Sequence, residues 1–272
     1  MKYRHSFHAG NFADVHKHVA LLALLTALKR KDKGFLYLET HSGPGEYSVS
    51  AEADAGIQRV APLQFQAEEI ARYVQAVAEF RAARGHPRAY PGSPLLAAHE
   101  LRTQDRGIAL EILAPEARAL ERALGPQTRM RVERGDGFER MRAYLPPVER
   151  RGLTLIDPPY EETRQDFEQV SAAIADGLRR FESGVICAWY PIKDERAIVS
   201  WKSSLTRTLD REVLFSELWL YPRDSRVGLN GSGLAIVNPP YQIEERMQVW
   251  QPELHAALDV AGTGGSSVQR AR

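Results

Sequence analysis

The stretch Leu153-Thr154-Leu155-Ile156-Asp157-Pro158-Pro159-Tyr160 decides how this chain is read. A short, largely apolar run follows the basic pair Arg150-Arg151 and ends in a carboxylate, two prolines and an aromatic ring. Such a run is expected to be a buried strand of a parallel sheet. The prolines stop it, because neither can donate to a ladder and both resist a helix. Asp157 therefore belongs at the carboxyl end of a central strand, where open α/β sheets bind their ligands.

The chemistry of the tetrad is specific. An exocyclic amine on a nucleobase is a poor nucleophile, because its lone pair is delocalised into the ring. An enzyme that uses it must hold both N–H hydrogens. The Asp157 carboxylate can accept one and the Pro158 carbonyl the other, with the two prolines keeping both acceptors aimed. Tyr160 can stack on a base swung out of its helix. Asp157, Pro158 and Tyr160 are thus the candidate catalytic residues. Asp157-Pro158-Pro159-Tyr160 resembles the (Asp/Asn/Ser)-Pro-Pro-(Tyr/Phe/Trp) signature of methyltransferases acting on adenine N6 or cytosine N4. That resemblance implies a glycine-containing S-adenosylmethionine loop after an upstream strand.

Upstream, Gly34–Glu39 reads as the first strand and runs into Thr40-His41-Ser42-Gly43-Pro44-Gly45. A strand ending in an acid before Gly-x-Gly fits a dinucleotide or S-adenosylmethionine loop. The third glycine of the nicotinamide fingerprint is missing, and no Gly-Lys-Ser/Thr follows, which excludes a phosphate-binding P-loop. Ser93 is expected to cap a helix over 94–104, with Pro94 at its first position. A strand over 108–113 with Glu111 inside it follows, then a helix over 115–124 and a strand over 130–133. Asp136 of Gly135-Asp136-Gly137 lies after that third strand, where it is either a ligand to an adenine amine or a plain turn residue.

Downstream, the pattern predicts a helix over 166–181, a strand over 184–189, a helix over 194–208 and strands over 213–220 and 233–237. The loop 221–232, with Arg223 and Arg226, is either a contact loop or a solvated turn. Asn238-Pro239-Pro240-Tyr241 repeats the tetrad pattern. Position favours Asp157: it ends the fourth strand counted from the Gly-x-Gly strand, whereas Asn238 ends the last. Residues 48–91 are expected to be a helical insertion, with a helix over 62–84, interrupting a domain formed by 1–47 and 92–261. Residues 262–272 are expected to be a flexible tail.

At 272 residues the chain can bury a full core, and 43% hydrophobic with 26% charged residues is ordinary for a globular protein. The formal charge of +1 carries no global nucleic-acid signal. Charge is segregated locally instead: residues 1–33 hold seven Lys/Arg against two Asp, and four of the eight histidines. That suits phosphate contact. The one cysteine, Cys187, excludes a disulfide framework. No secretory signal or membrane-length apolar run is evident, so a cytoplasmic protein is expected. A helix over 13–30 follows from the spacing of Val15, Val19, Leu22, Leu25 and Leu28. His5, His8, Asp14, His16 and His18 invite a metal reading, but His16 and His18 point to different sides of a helix, and no metal is expected.

With these residues in place, the chain resembles over nearly its whole length the bacterial large-subunit ribosomal RNA adenine-N6 methyltransferases of the J type. The matching stretches are Tyr-Arg-His-Ser-Phe-His-Ala-Gly-Asn at 3–11, Ala-Asp-Val at 13–15, Lys-His at 17–18 and Phe-Leu-Tyr-Leu at 35–38. Tyr-Pro-Gly-Ser-Pro-Leu at 90–95, Arg-Val-Glu-Arg at 131–134, Asp-Gly-Phe at 136–138 and Ile-Asp-Pro-Pro-Tyr at 156–160 continue the match. The resemblance implies a Rossmann-like α/β fold with a mostly parallel seven-stranded sheet, helices on both faces and a small helical insertion. It implies S-adenosylmethionine as cofactor, held by His18, His41, Ser93, Asp136, Gly137 and Asp157. It further implies transfer to one adenine, 2030 in the usual 23S numbering, of RNA that is protein-free or early in assembly, by a monomeric enzyme.

Tyr3 would then help place the flipped adenine, with Lys2, Arg4 and Lys17 touching phosphates. One departure stands out. The family has Glu-Leu-His-Pro after its second strand, where this chain has Glu111-Ile112-Leu113-Ala114-Pro115. Aligned on the proline, the ribose-binding acid falls on Ile112, so either the strand slips by one or the ribose contact differs. Two other classes stay open: a DNA adenine-N6 methyltransferase, and a nucleic-acid binder on a catalytically dead fold of this kind.

Overall fold

A computed structural model describes residues 9–49, 56–161, 163–225, 228–259 and 261–272. Along the chain run α1 (Phe12–Lys29), β1 (Leu36–Glu39), β2 (Glu46–Ser48), α2 (Ile57–Val60), α3 (Glu68–Arg84), β3 (Ala89–Pro91) and α4 (Ser93–Glu100). Then come β4 (Arg106–Glu111), α5 (Ala114–Leu124), β5 (Met130–Arg134), α6 (Gly137–Arg140), β6 (Gly152–Ile156) and α7 (Thr163–Arg180). The chain continues through β7 (Val185–Ile192), α8 (Glu195–Leu209), β8 (Val213–Trp219), β9 (Gly231–Val237), α9 (Ile243–Leu258) and β10 (Gly265–Ala271).

Among the described residues the main sheet has eight strands in the order β10-β8-β9-β7-β6-β1-β4-β5. The five from β7 to β5 are parallel, while β9 runs antiparallel to β7 and β8. The chain leaves β1 toward β4 and β5 on one side, then returns to β6 on the other. This reversal is the switch point of a Rossmann-like sheet, and it sets the exits of β1 and β6 side by side.

Alternation along the strands feeds two cores, one on each face. Phe35 and Tyr37 face the layer of α1, α3 and α9, and Leu36 and Leu38 face the layer of α7 and α8. Asn11 starts α1 by accepting from the backbone N–H of Ala13 (2.9 Å) and Asp14 (3.0 Å). The apolar spacing of α1 suggests one buried stripe. In fact every residue from Phe12 to Leu25 is buried, because α1 lies between the sheet and the α3, α4 and α9 helices. The segment between β2 and β3 places Ile70, Tyr73 and Val77 of α3 in the same core.

Two expectations need correction. The sheet gains an eighth strand, and the polar tail supplies it: Gly265–Ala271 pairs antiparallel with β8 along its whole length. Gln251 secures this edge, since its amide donates to the carbonyls of Ser267 (3.0 Å) and Glu217 (2.6 Å). Among the described residues no helix is long and apolar enough to cross a membrane.

Candidate active site

Asp157 leaves β6 at the sheet's carboxyl edge, with its side chain 14% exposed. The first surprise is its partner. The Lys17 ammonium lies 2.6 Å from Asp157 Oδ2 and 2.9 Å from Asp14 Oδ1, and Asp14 Oδ2 accepts from the Gly10 N–H at 3.0 Å. Burial by itself would push the Lys17 ammonium down, but the two carboxylates outweigh it and hold its pKa well above the ordinary lysine value. Lys17 is 4% exposed and faces the Trp189 ring at 6.0 Å. The expected contact between Lys17 and an RNA phosphate is therefore corrected: its charge is committed inside the protein. Tyr3 and Arg4 lie outside the described residues.

The rest of the tetrad is fixed by packing. Pro158 is buried and Pro159 exposed. Tyr160 is 6% exposed, donates its hydroxyl to the Trp189 carbonyl at 2.6 Å, and packs against Phe167 and the edge of Trp189. Its ring does not present a free face for base stacking; it anchors the loop instead. The second tetrad ends β9, whose antiparallel course carries Asn238 to the opposite end of the sheet, beside the start of β7. There its amide donates to the carbonyls of Glu182 and Gly184, both at 2.8 Å, which is a structural use of the same motif.

Next to Asp157 lies the loop after β1. Glu39 is fully buried and accepts from the Tyr37 hydroxyl (2.8 Å) and from the Ser93 hydroxyl. Burial raises its pKa to about 7, against the lowering effect of those hydrogen bonds and of Lys17. Ser93 was expected as the α4 cap, but Gly92 holds that position and the Ser93 side chain serves Glu39. His41 bonds Thr40 Oγ1 at 2.8 Å and meets Phe138 edge-on; desolvation lowers its pKa to about 4, against the charges of Asp157 and Asp136. Gly43 has φ +59°, a conformation glycine adopts without strain, and its N–H donates to Glu111 Oε2 at 2.8 Å.

Glu111 is the last residue of β4, and its other oxygen accepts from the Leu113 N–H at 2.8 Å. The acid at the second strand's exit is thus Glu111, while Ile112 beside it is 54% exposed and apolar. Asp136 caps α6 through the Phe138 and Glu139 N–H groups. A Cβ on Gly137 would collide with the Thr40 carbonyl, so only glycine lets these two loops approach. His18 is buried, with Nδ1 2.8 Å from the Tyr90 hydroxyl, which in turn bonds Tyr73.

The sheet thereby gathers Asp157, Glu39, His41, Ser93, Gly43, Glu111, Asp136 and Gly137 along the exits of β1, β4, β5 and β6. Sequence reasoning missed Asp14 as the partner of Lys17, although their spacing of three residues on a helix signals a contact. It also missed Trp189, which no local pattern marks. Of the histidines first weighed as metal ligands, His5 and His8 lie outside the described residues. His16 bonds Ser232 (2.9 Å) and Ser216 (3.0 Å), and desolvation takes its pKa down to about 3. Among the described residues no group of three or more His, Cys, Asp or Glu is placed to hold a metal.

A family model described as ribosomal RNA large subunit methyltransferase D, RlmJ, matches residues 32–271. A protein of Escherichia coli K12 named ribosomal RNA large subunit methyltransferase J is 40% identical over 98% of each chain. Its namesake from Haemophilus influenzae is 39% identical, covering 99% of this chain and 98% of that one. A crystal structure of a Legionella pneumophila protein superimposes with a TM-score of 0.85 at 32% identity, covering 96% of this chain and 98% of the other. A match of this length, on a chain that sets Asp157-Pro158-Pro159-Tyr160 beside a glycine loop, means that the protein belongs to the ribosomal RNA large subunit methyltransferase J family.

Proposed function

We propose that the protein transfers a methyl group from S-adenosylmethionine to the exocyclic N6 of one adenine, 2030, in 23S ribosomal RNA. The observation that carries this reading is Asp157 at the exit of β6, beside a glycine-lined cradle at the exits of β1, β4 and β5. The cradle suits an adenosyl group: Gly137 lets its loop close onto Thr40 of the loop after β1, and Ile112 and Leu113, each 54% exposed, offer apolar surface. Asp136 and Gly137 would meet the adenine end and Glu111 the ribose, with His41 and Ser93 lining the loop and His18 backing it through Tyr90.

When bound, S-adenosylmethionine supplies an electrophilic methyl group on a sulfonium. The protein's part is to aim the amine. Lys17 occupies Asp157 Oδ2 and leaves Oδ1 as the acceptor for one amine hydrogen, and the Pro158 carbonyl takes the other. Lys17 also keeps the carboxylate fixed, so little reorganisation is needed at the moment of attack. Tyr160, tied to Trp189, holds the loop that carries both acceptors.

The test is a radiolabelled methyl-transfer assay on protein-free large-subunit RNA, assembled subunits and duplex DNA, followed by nucleoside digestion. Label in N6-methyladenine from protein-free RNA is expected. Label in DNA alone would select the DNA methyltransferase reading, and no label anywhere would select a dead fold.

A further inference from the structure

Lys17 is spent inside the protein, so it is not the cation that meets a substrate backbone beside the tetrad. We infer that Lys193, at the exit of β7, is a contact for an RNA phosphate flanking the target adenine; this deepens the methyltransferase reading and rests on it. Strand β7 is the neighbour of β6, so its exit borders the tetrad loop. Lys193 is exposed, and its Nζ lies 3.4 Å from the Tyr160 carbonyl.

The two acids that follow Lys193 in the chain are engaged elsewhere. Asp194 caps α8 through the Arg196 and Ala197 N–H groups, and Glu195 pairs with Arg223. Among the described residues no carboxylate forms an ion pair with Lys193 or with the exposed Arg196. Arg223, a candidate contact in the sequence, is instead a strut: it is 18% exposed, pairs with Glu217 at 3.0 Å and stacks on Trp219.

The backbone at Lys193 is anchored from below. Asn230 is fully buried, and its amide donates to the carbonyls of Lys193 (3.3 Å), Arg223 (3.2 Å) and Ser225 (2.9 Å), while its N–H bonds the Ile192 carbonyl at 2.8 Å. One side chain thus staples the loop after β8 to the exit of β7. The staple leaves the Lys193 backbone little freedom while its ammonium faces solvent, an arrangement suited to meeting an anion at a fixed place. A single phosphate contact adds about 0.7 to the slope of log affinity against log salt on single-stranded RNA.

The experiment uses the full chain and protein-free large-subunit RNA. RNA affinity is measured from about 50 to 200 mM salt for wild type, Lys193→Met, Lys193→Glu and Lys193→Arg. Lys193→Met is expected to bind RNA more weakly and to lose about 0.7 of slope, so that its deficit shrinks about 2.6-fold across that range. Lys193→Arg should bind as wild type does, Lys193→Glu worst, and all four should bind S-adenosylhomocysteine alike. Unchanged affinity and slope in Lys193→Glu would overturn the inference. So would a fall in turnover at saturating RNA with the slope intact, which would make Lys193 only a brace for the Tyr160 carbonyl. If the wild type binds RNA but methylates none, while the slope still responds to Lys193, the methylation reading fails and the phosphate contact stands.

Discussion

Replacing Lys17 with methionine keeps the buried stem and removes the charge, and its effect can be worked from the geometry. The ammonium sits between Asp14, 3% exposed, and Asp157, 14% exposed. Without it Asp14 keeps the Gly10 N–H but loses the ammonium 2.9 Å from its Oδ1. Breaking a buried pair by deleting one partner costs about 3–5 kcal/mol. Asp157 adds less, because water reaches it. A loss of that size corresponds to roughly 6–20 °C in Tm for a domain of about this length. Urea denaturation with a two-state fit would read it. The diagnostic control is Asp14→Asn in the Lys17→Met background, which should restore stability because it removes a buried carboxylate that the ammonium had offset. At saturating RNA, methyl transfer should slow strongly while S-adenosylhomocysteine binds within a few-fold. A Lys17→Met protein within about 1 kcal/mol of wild type, or a double variant less stable than the single, would refute the account.

Asp157→Ala should abolish methyl transfer with cofactor affinity retained within a few-fold by calorimetry, and Asp157→Asn should keep partial activity because an amide oxygen still accepts. Asn238→Ala should leave turnover unchanged and cost about 1–2 kcal/mol in denaturant, since it removes two hydrogen bonds that water only partly replaces. Gly137→Ala should lose S-adenosylhomocysteine binding, measured calorimetrically, while remaining folded by circular dichroism. Glu39→Gln tests the pH balance. The folded state retains the Glu39 proton up to about pH 7, so that group's contribution is present below about pH 4.5 and lost as pH rises to 7. His16 and His41, lowered to about 3 and about 4, act oppositely and cost stability as pH falls below 6.5. Between pH 4.5 and 6.5 the variant should therefore lose stability on acidification more steeply than wild type, by about 1.4 kcal/mol per pH unit.

What was legible in the sequence was local. Prolines end β6 wherever the rest of the chain lies, Gly43 takes a left-handed turn, and Gly137 allows a backbone approach that a side chain would block, so the tetrad and the glycine loops were visible locally. What was not legible depended on partners distant in the chain. Helical spacing in α1 shows which residues share a stripe but not that further helices cover the remaining sides, so Lys17 looked like a surface cation. Ser93 matches a cap pattern, yet Glu39, 54 residues earlier, claims its hydroxyl. The Gly-Ser composition of 262–272 suggests fraying, but an open β8 edge converts that stretch into a strand. Tyr160 fits a stacking role by motif alone, and only the tertiary position of Trp189 reveals its anchor.

The setting of α1 has a kinetic consequence. His16 is hydrogen-bonded to residues 216 and 200 positions away, and on the next residue Lys17 reaches 140 positions to Asp157. Bringing such distant segments together costs more chain entropy than forming a hairpin or a helical turn, and contact order of this kind slows folding. The bonds that fix His16 can form only once Ser216 of β8 and Ser232 of β9 have been brought to the helix. Until α1 docks, Asp157 stands at its strand end without the Lys17 ammonium. Catalytic competence and completion of the fold arrive together, so a partly folded chain carries the tetrad in sequence but not the aimed acceptor that makes it work.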